Sequence, residues 1–246
     1  MAALSTYSAI PTPRFDWDEY AAGYALCFFP AVGVVCGAVL WGWYALCLAL
    51  DVSGVLFAAL AVCLPLLITG GIHMDGYMDT VDAISSHQSR ERKLEILKDP
   101  NCGAFAVIWC GMYLLLSFGV LYELYAMELV PVLCPAYLLS RALSALCAVT
   151  LPNARDGGML YAYTERARRR ALLISAGILA LLACLGMVFL APLPGLCAAA
   201  AAGLSVLCYR AMARRLFGGV TGDTAGFFLQ VCEFAALTGA WIGGVL

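Results

Sequence analysis

Three aspartates, Asp75, Asp79 and Asp82, lie in the stretch Gly70-Gly-Ile-His-Met-Asp-Gly-Tyr-Met-Asp-Thr-Val-Asp82, where an apolar, uncharged run gives way to charge. Separations of four and three residues put them on one face of a helix, so three carboxylates project into one small volume. With no base between them, they repel one another and are costly to hold near hydrocarbon. A hard divalent cation relieves that repulsion, and Mg2+ is the usual partner of clustered carboxylates and substrate phosphates. The chemistry suggested is phosphate transfer at a membrane surface; the alternative is a helix end with solvated acids. Gly70, Gly71 and Gly76 would let backbone or substrate come close. His73, beside the acids, is either a base or a hydrogen-bonded structural residue.

A second constellation opens the last apolar run, Gly218-Gly-Val-Thr-Gly-Asp-Thr-Ala-Gly226. Gly219 and Gly222 leave backbone amides unobstructed, and a following helix would aim its positive end at whatever lies there. Thr221 or Asp223 either caps that helix or joins a phosphate or metal site. The lysine of a phosphate-binding loop is missing. Arg141 falls inside an apolar run, where a charge is expensive unless it serves a polar function, and its planar donors suit a phosphate. Arg155 could be a second such contact. Lys98 and Asp99 end a short amphipathic segment, 90–99, beside Pro100 and back near the bilayer. There a lysine could meet a phosphate and an aspartate could complete a metal site.

The elements that must position these residues are membrane helices. The chain has 246 residues, 63% hydrophobic and only 12% charged, with a mean hydropathy of +0.90, far from the soluble average of about 25% charged. Apolar runs approaching or exceeding the length of a span lie at 20–50, 52–72, 103–122, 129–151, 171–190 and 224–246. A shorter run at 196–209 follows a Pro- and Gly-containing turn at 191–195 and continues towards Arg214. The expectation is an all-α, polytopic helical bundle of about seven transmembrane helices, six being nearly as consistent. A cytoplasmic helical segment joins spans two and three, and residues 1–246 form a single domain. Residues 1–13 lack a secretion signal's basic start and read as a retained, interfacial or unstructured segment. Lys and Arg gather in 90–98, 155–170 and 210–215, which places these loops and the amino terminus in the cytoplasm. The arginines at 166 and 168–170 read as an orientation signal and an anionic-lipid contact. Nothing in the pattern suggests a nucleic-acid partner. Twelve cysteines, nearly all within spans and without a CxxC pair, read as reduced, buried thiols.

Taken in order, the aspartate motif, Arg90-Glu-Arg-Lys-Leu-Glu-Ile-Leu-Lys-Asp99, Ser140-Arg141, Ala154-Arg155 and Gly218-Gly-Val-Thr-Gly-Asp223 closely resemble the cobalamin synthase family, also called adenosylcobinamide-GDP ribazoletransferases. Departures are mild, Met74 standing where many members carry an acid and Ala83 where they carry glycine. The resemblance implies Mg2+-dependent joining of adenosylcobinamide-GDP to α-ribazole or its 5′-phosphate, with release of GMP, in a bacterial or archaeal cytoplasmic membrane. Asp75, Asp79 and Asp82 would hold the metal, and Lys98, Arg141 and Arg155 would contact phosphates. His73, Asp99 or Asp223 would take the hydroxyl proton. The partners implied are the corrinoid nucleotide, α-ribazole and membrane lipid, with homo-oligomerisation left open. Two rival diphosphate enzymes, intramembrane prenyltransferases and CDP-alcohol phosphotransferases, use differently spaced aspartates. A cation transporter would need acids distributed through its spans.

Overall fold

The fold was analysed in a computed structural model that describes residues 7–9 and 23–246. Most of the expected interfacial amino-terminal segment, and the first residues of the first expected span, lie outside the described residues. The remainder forms ten α-helices, α1 (Phe29–Ala49), α2 (Gly54–Thr69), α3 (Ile72–Ser85), α4 (Arg90–Ile96), α5 (Ala104–Ala126), α6 (Leu133–Thr150), α7 (Met159–Arg166), α8 (Arg169–Leu190), α9 (Pro192–Met212) and α10 (Gly222–Val245). Short 3-10 turns lead into α1 and α6, and α9 runs on into a π-turn at Ala213–Phe217. Among the described residues the one extended pairing is a parallel bridge between Asn153 and Val220. The chain is an all-α, polytopic membrane protein.

Six helical stretches are long and apolar enough to cross a membrane, and α2 with α3 supplies a seventh if the two count as one broken span. The sequence reads as a second span running straight on into a cytosolic helix. Instead the axis turns by 96° between α2 and α3. The cause is local: Gly70 and Gly71 both take left-handed backbone conformations, φ 64° and 77°. Only glycine accepts two such residues in succession without strain, and the pair ends one helix and starts the next. The turn expected at 191–195 also differs, since α9 begins at Pro192 directly after an extended Ala191. Proline belongs in a first helical turn because the missing N–H has no partner there anyway.

The spans pack α1 on α6, α9 on α10 and α8 between α6 and α9. Gly33 and Gly37 of α1 face the backbone carbonyls of Tyr137 and Cys134 so closely that a Cβ at either would collide. Small residues at a helix contact permit this approach, which supplies dispersion energy where lipid offers no hydrophobic driving force. The twelve cysteines are all free, with Cys63, Cys102 and Cys208 exposed and the others at least partly covered.

One charge pair is buried among the described spans. Arg141 on α6 is 1% exposed, and its Nη1 donates to Glu233 Oε1 on α10 and to Ser140 Oγ at 2.9 Å. The guanidinium carbon stands 5.4 Å from the Tyr137 ring centroid. Removing one partner of such a buried pair strands the other charge, at about 3–5 kcal/mol, whereas replacing both by apolar residues is often neutral. Glu233→Leu alone is therefore expected to lower the thermal midpoint in detergent by far more than Arg141→Leu/Glu233→Leu together. A single variant as stable as the wild type would show that the guanidinium has another partner.

Candidate active site

The acidic motif and the glycine-rich motif meet where α3 crosses the start of α10. A Cβ at Gly76 would lie 2.7 Å from the Asp223 carbonyl oxygen, and one at Gly226 would lie 3.0 Å from the His73 carbonyl oxygen. The two backbones are thus in contact, and Tyr77 stacks on Phe227 alongside, with centroids 5.5 Å apart. Aspartates that are distant in sequence become electrostatic neighbours. The negative charges of Asp75, Asp223 and Asp82 all act on Asp79.

Asp223 is set by the helix start. Thr221 caps α10 by accepting from Thr224 N at 3.1 Å, while Thr224 Oγ1 accepts from Thr221 N at 2.9 Å. This reciprocal box fixes the entry angle of the chain and leaves Asp223 in the first turn, where the helix dipole favours an anion. The loop before it is tied to the loop after α6. Ala154 N donates to the Val220 carbonyl at 2.9 Å and Val220 N to the Pro152 carbonyl at 2.8 Å. Gly219 lies so close to the Pro152 carbonyl that a side chain would not fit. The clamp sets Arg155 opposite Asp223, Nη2 to Oδ2 at 3.5 Å. Arg155 Nη1 is buried without a protein partner.

These groups border a cavity of about 180 Å³ between α3, α6, α10 and the 153–161 segment. His73, Asp75, Arg155, Thr221, Gly222 and Asp223 line it. Asp79 follows Asp75 by one helical turn, but neither it nor Gly219 is among the lining residues. His73 is 5% exposed and its Nε2 has no partner. Glycines at 157 and 158, with φ 129° and 90°, bring bare backbone to the rim.

Four candidates lie elsewhere. Asp82 accepts from Gly103 N at 2.5 Å and Ala106 N at 2.9 Å, which makes it the cap of α5. The four unpaired amides of a helix start compete for any nearby carboxylate, and here they hold the third aspartate. Asp99 is exposed and accepts from Asn101 N and Nδ2 at 2.9 and 2.7 Å, bonds that hold its carboxyl below the usual carboxylate range. Lys98 is exposed at the end of α4. Arg141 is held by Glu233 inside the bundle and does not line the cavity. Sequence reasoning did not single out the aromatic side of the cavity, Tyr7, Phe29 and Tyr161. Apolar residues in an apolar chain carry no distinguishing signal.

The expected triad of Asp75, Asp79 and Asp82 is not assembled at the cavity, since Asp82 is held at α5. Among the described residues, no three His, Cys, Asp or Glu side chains are grouped so as to hold a metal ion by themselves. Mg2+ does not require such a group, since it keeps several waters and takes one or two carboxylates together with substrate phosphates. Asp75 and Asp79, with Asp223 facing them, provide hard oxygens of that kind beside an arginine with an unpartnered donor. One or two of these carboxylates would suffice for such an ion, whereas Asp82 is occupied by the amides of α5. Asp82→Ala is expected to cost about 1 kcal/mol of stability through the lost cap while leaving half-saturation by Mg2+ within twofold, measured by thermal unfolding and a metal titration of activity. A tenfold weaker metal response would return Asp82 to the metal set.

The family profile described as cobalamin-5-phosphate synthase matches residues 1–241. A relative from Lachnoclostridium phytofermentans named adenosylcobinamide-GDP ribazoletransferase is 42% identical over 95% of this chain and 89% of its own length. Proteins of the same name from Stutzerimonas stutzeri (strain A1501) and Clostridium perfringens (strain 13 / Type A) are 38% and 31% identical over 94% and 95% of this chain and 89% and 93% of their own lengths. No solved structure matches. With one profile spanning nearly the whole chain, and a relative 42% identical over 95% of it, the chain belongs to the cobalamin-5-phosphate synthase family.

Proposed function

We propose that this enzyme of cobalamin biosynthesis is an Mg2+-dependent adenosylcobinamide-GDP ribazoletransferase, joining adenosylcobinamide-GDP to α-ribazole or its 5′-phosphate. The observation that carries this reading is the convergence of Asp75, Asp223 and Arg155, from three separate segments, on one cavity that also presents an unpartnered His73 nitrogen. Family membership sets aside the prenyltransferase, CDP-alcohol and transporter alternatives.

In the transfer, a ribose hydroxyl oxygen of the acceptor attacks the phosphorus that carries the cobinamide arm. A new P–O bond forms, the bond to the GMP oxygen breaks, and the hydroxyl proton leaves. Such reactions depend on positioning and on neutralising the diphosphate. Bound Mg2+ would supply charge neutralisation of the diphosphate, with one or two of the carboxylates of Asp75, Asp79 and Asp223 as its protein ligands. Arg155 Nη1 lies ready for a phosphate oxygen, a group its fixed donors suit. The first amides of α10, at Gly222 and Asp223, offer the positive end of a helix to the same anion. His73 Nε2, buried beside Asp75, is placed to receive the hydroxyl proton. Asp99 is outside the cavity and Asp223 is engaged with Arg155, so neither is assigned that task. Arg141 holds α6 to α10 and so positions the cavity wall, and Lys98 receives no role at the reacting atoms.

We place this end of the bundle in the cytoplasm. The segments 90–98, 155–170 and 210–215 all lie at the cavity end, whereas Asp51, Glu123 and Glu128 fall in the connections at the other end, as the preference for cationic cytoplasmic loops requires.

Detergent-purified protein is expected to release GMP from adenosylcobinamide-GDP only when α-ribazole or its phosphate and Mg2+ are both present. Asp79→Asn and Asp223→Asn should each lower kcat by about 100-fold or more while the protein still inserts. GMP release that survives chelation, or wild-type rates in both variants, would overturn the reading.

A further inference from the structure

The cavity has two chemically opposite walls. One carries Asp75, Asp223 and Arg155. The other is apolar and aromatic, with Tyr7, Phe29 and Tyr161 among its lining residues. Phe29 sits between two further rings. Its centroid is 4.6 Å from that of Tyr7 and 5.8 Å from that of His73, the latter pair edge-on. Phe29 is almost fully buried, so its ring is held by the bundle and does not move to fit a ligand. On this side the buried Nε2 of His73 has no partner in the protein, and a buried polar nitrogen normally finds one.

Size restricts what can enter. At about 180 Å³ the cavity is smaller than the roughly 300–1,000 Å³ typical of drug-sized ligand sites. A corrin macrocycle carrying a nucleoside diphosphate does not fit, whereas a planar base does. Building on the transferase reading above, we propose that the aromatic wall seats the planar base of the nucleoside acceptor. The smaller substrate then lies inside, the diphosphate of the larger one reaches the mouth at Asp75, Asp223 and Arg155, and the corrin ring stays outside the cavity. Flat π-faces prefer offset or edge-on neighbours, and Tyr7, Phe29 and Tyr161 offer them without charge. His73 Nε2 gains the hydrogen-bond partner it lacks from the nucleoside.

Phe29→Leu keeps an apolar side chain and removes the ring; Tyr161→Leu removes a ring at a half-exposed position, where the loss of buried volume matters less. Wild-type protein and both variants in nanodiscs are titrated with α-ribazole alone and with GDP alone, and KM is measured for each substrate. The expected result is a loss of α-ribazole affinity of about tenfold in each variant, with a matching rise in acceptor KM. GDP affinity and the KM for adenosylcobinamide-GDP should stay within twofold. Unchanged α-ribazole binding in both variants, or a loss confined to GDP, overturns the subsite. The two readings fail differently. Wild-type protein that binds α-ribazole in a ring-dependent way but releases no GMP removes the transferase reading alone. Normal turnover with unaltered acceptor KM in both variants removes the subsite alone.

Discussion

The contact that everything else depends on is the crossing of α3 over the start of α10, where Gly76 and Gly226 let two backbones touch. It puts carboxylates from both helices into one neighbourhood, an arrangement that like charges oppose. Two features of the fold offset the repulsion. Arg155 stands across from Asp223, and the positive end of α10 faces the same place. A divalent ion with a diphosphate would complete the balance, so the geometry and the proposed chemistry express one electrostatic requirement.

The membrane sets how that crossing is built. A straight second span would have carried the aspartates past the bundle into water, with no second helix to meet. The double left-handed turn at Gly70 and Gly71 redirects α3 so that its inner face, Met74, Tyr77 and Val81, packs against α5 and α10. Asp82 fastens the far end of α3 to α5 by capping it. Below the site, the Arg141–Glu233 pair joins α6 to α10. The charged groups that the bundle buries there are thus partnered within it.

Much of this was legible in the chain because membrane helices and clustered charges leave strong traces. The apolar runs marked the spans, and the segregation of Lys and Arg marked which connections share an end. The glycine-rich motif before the last span was recognisable as a helix start, although whether Asp223 capped or faced a site could be decided only in three dimensions. There Thr221 takes the cap and Asp223 is left to face Arg155. Helical spacing correctly put Asp75 and Asp79 one turn apart, but it could not reveal that Asp82 would be claimed by the amides of another helix. Arg141 read as a phosphate ligand because its partner, Glu233, lies 92 residues away. The 96° break was hidden for a different reason. Paired glycines permit a sharp turn without requiring one, and the long-range packing of α3 on α5 and α10 that accompanies it leaves no local trace.

The central claim is that α3 and α10 together hold one divalent ion with the diphosphate. Its most direct test is electron paramagnetic resonance of Mn2+ titrated into the purified protein with GDP. One tightly bound ion is expected in the wild type, with affinity falling at least about tenfold when either Asp75 or Asp223 becomes asparagine. Undiminished Mn2+ binding in the Asp223→Asn protein would contradict it, since the ion would then belong to α3 alone.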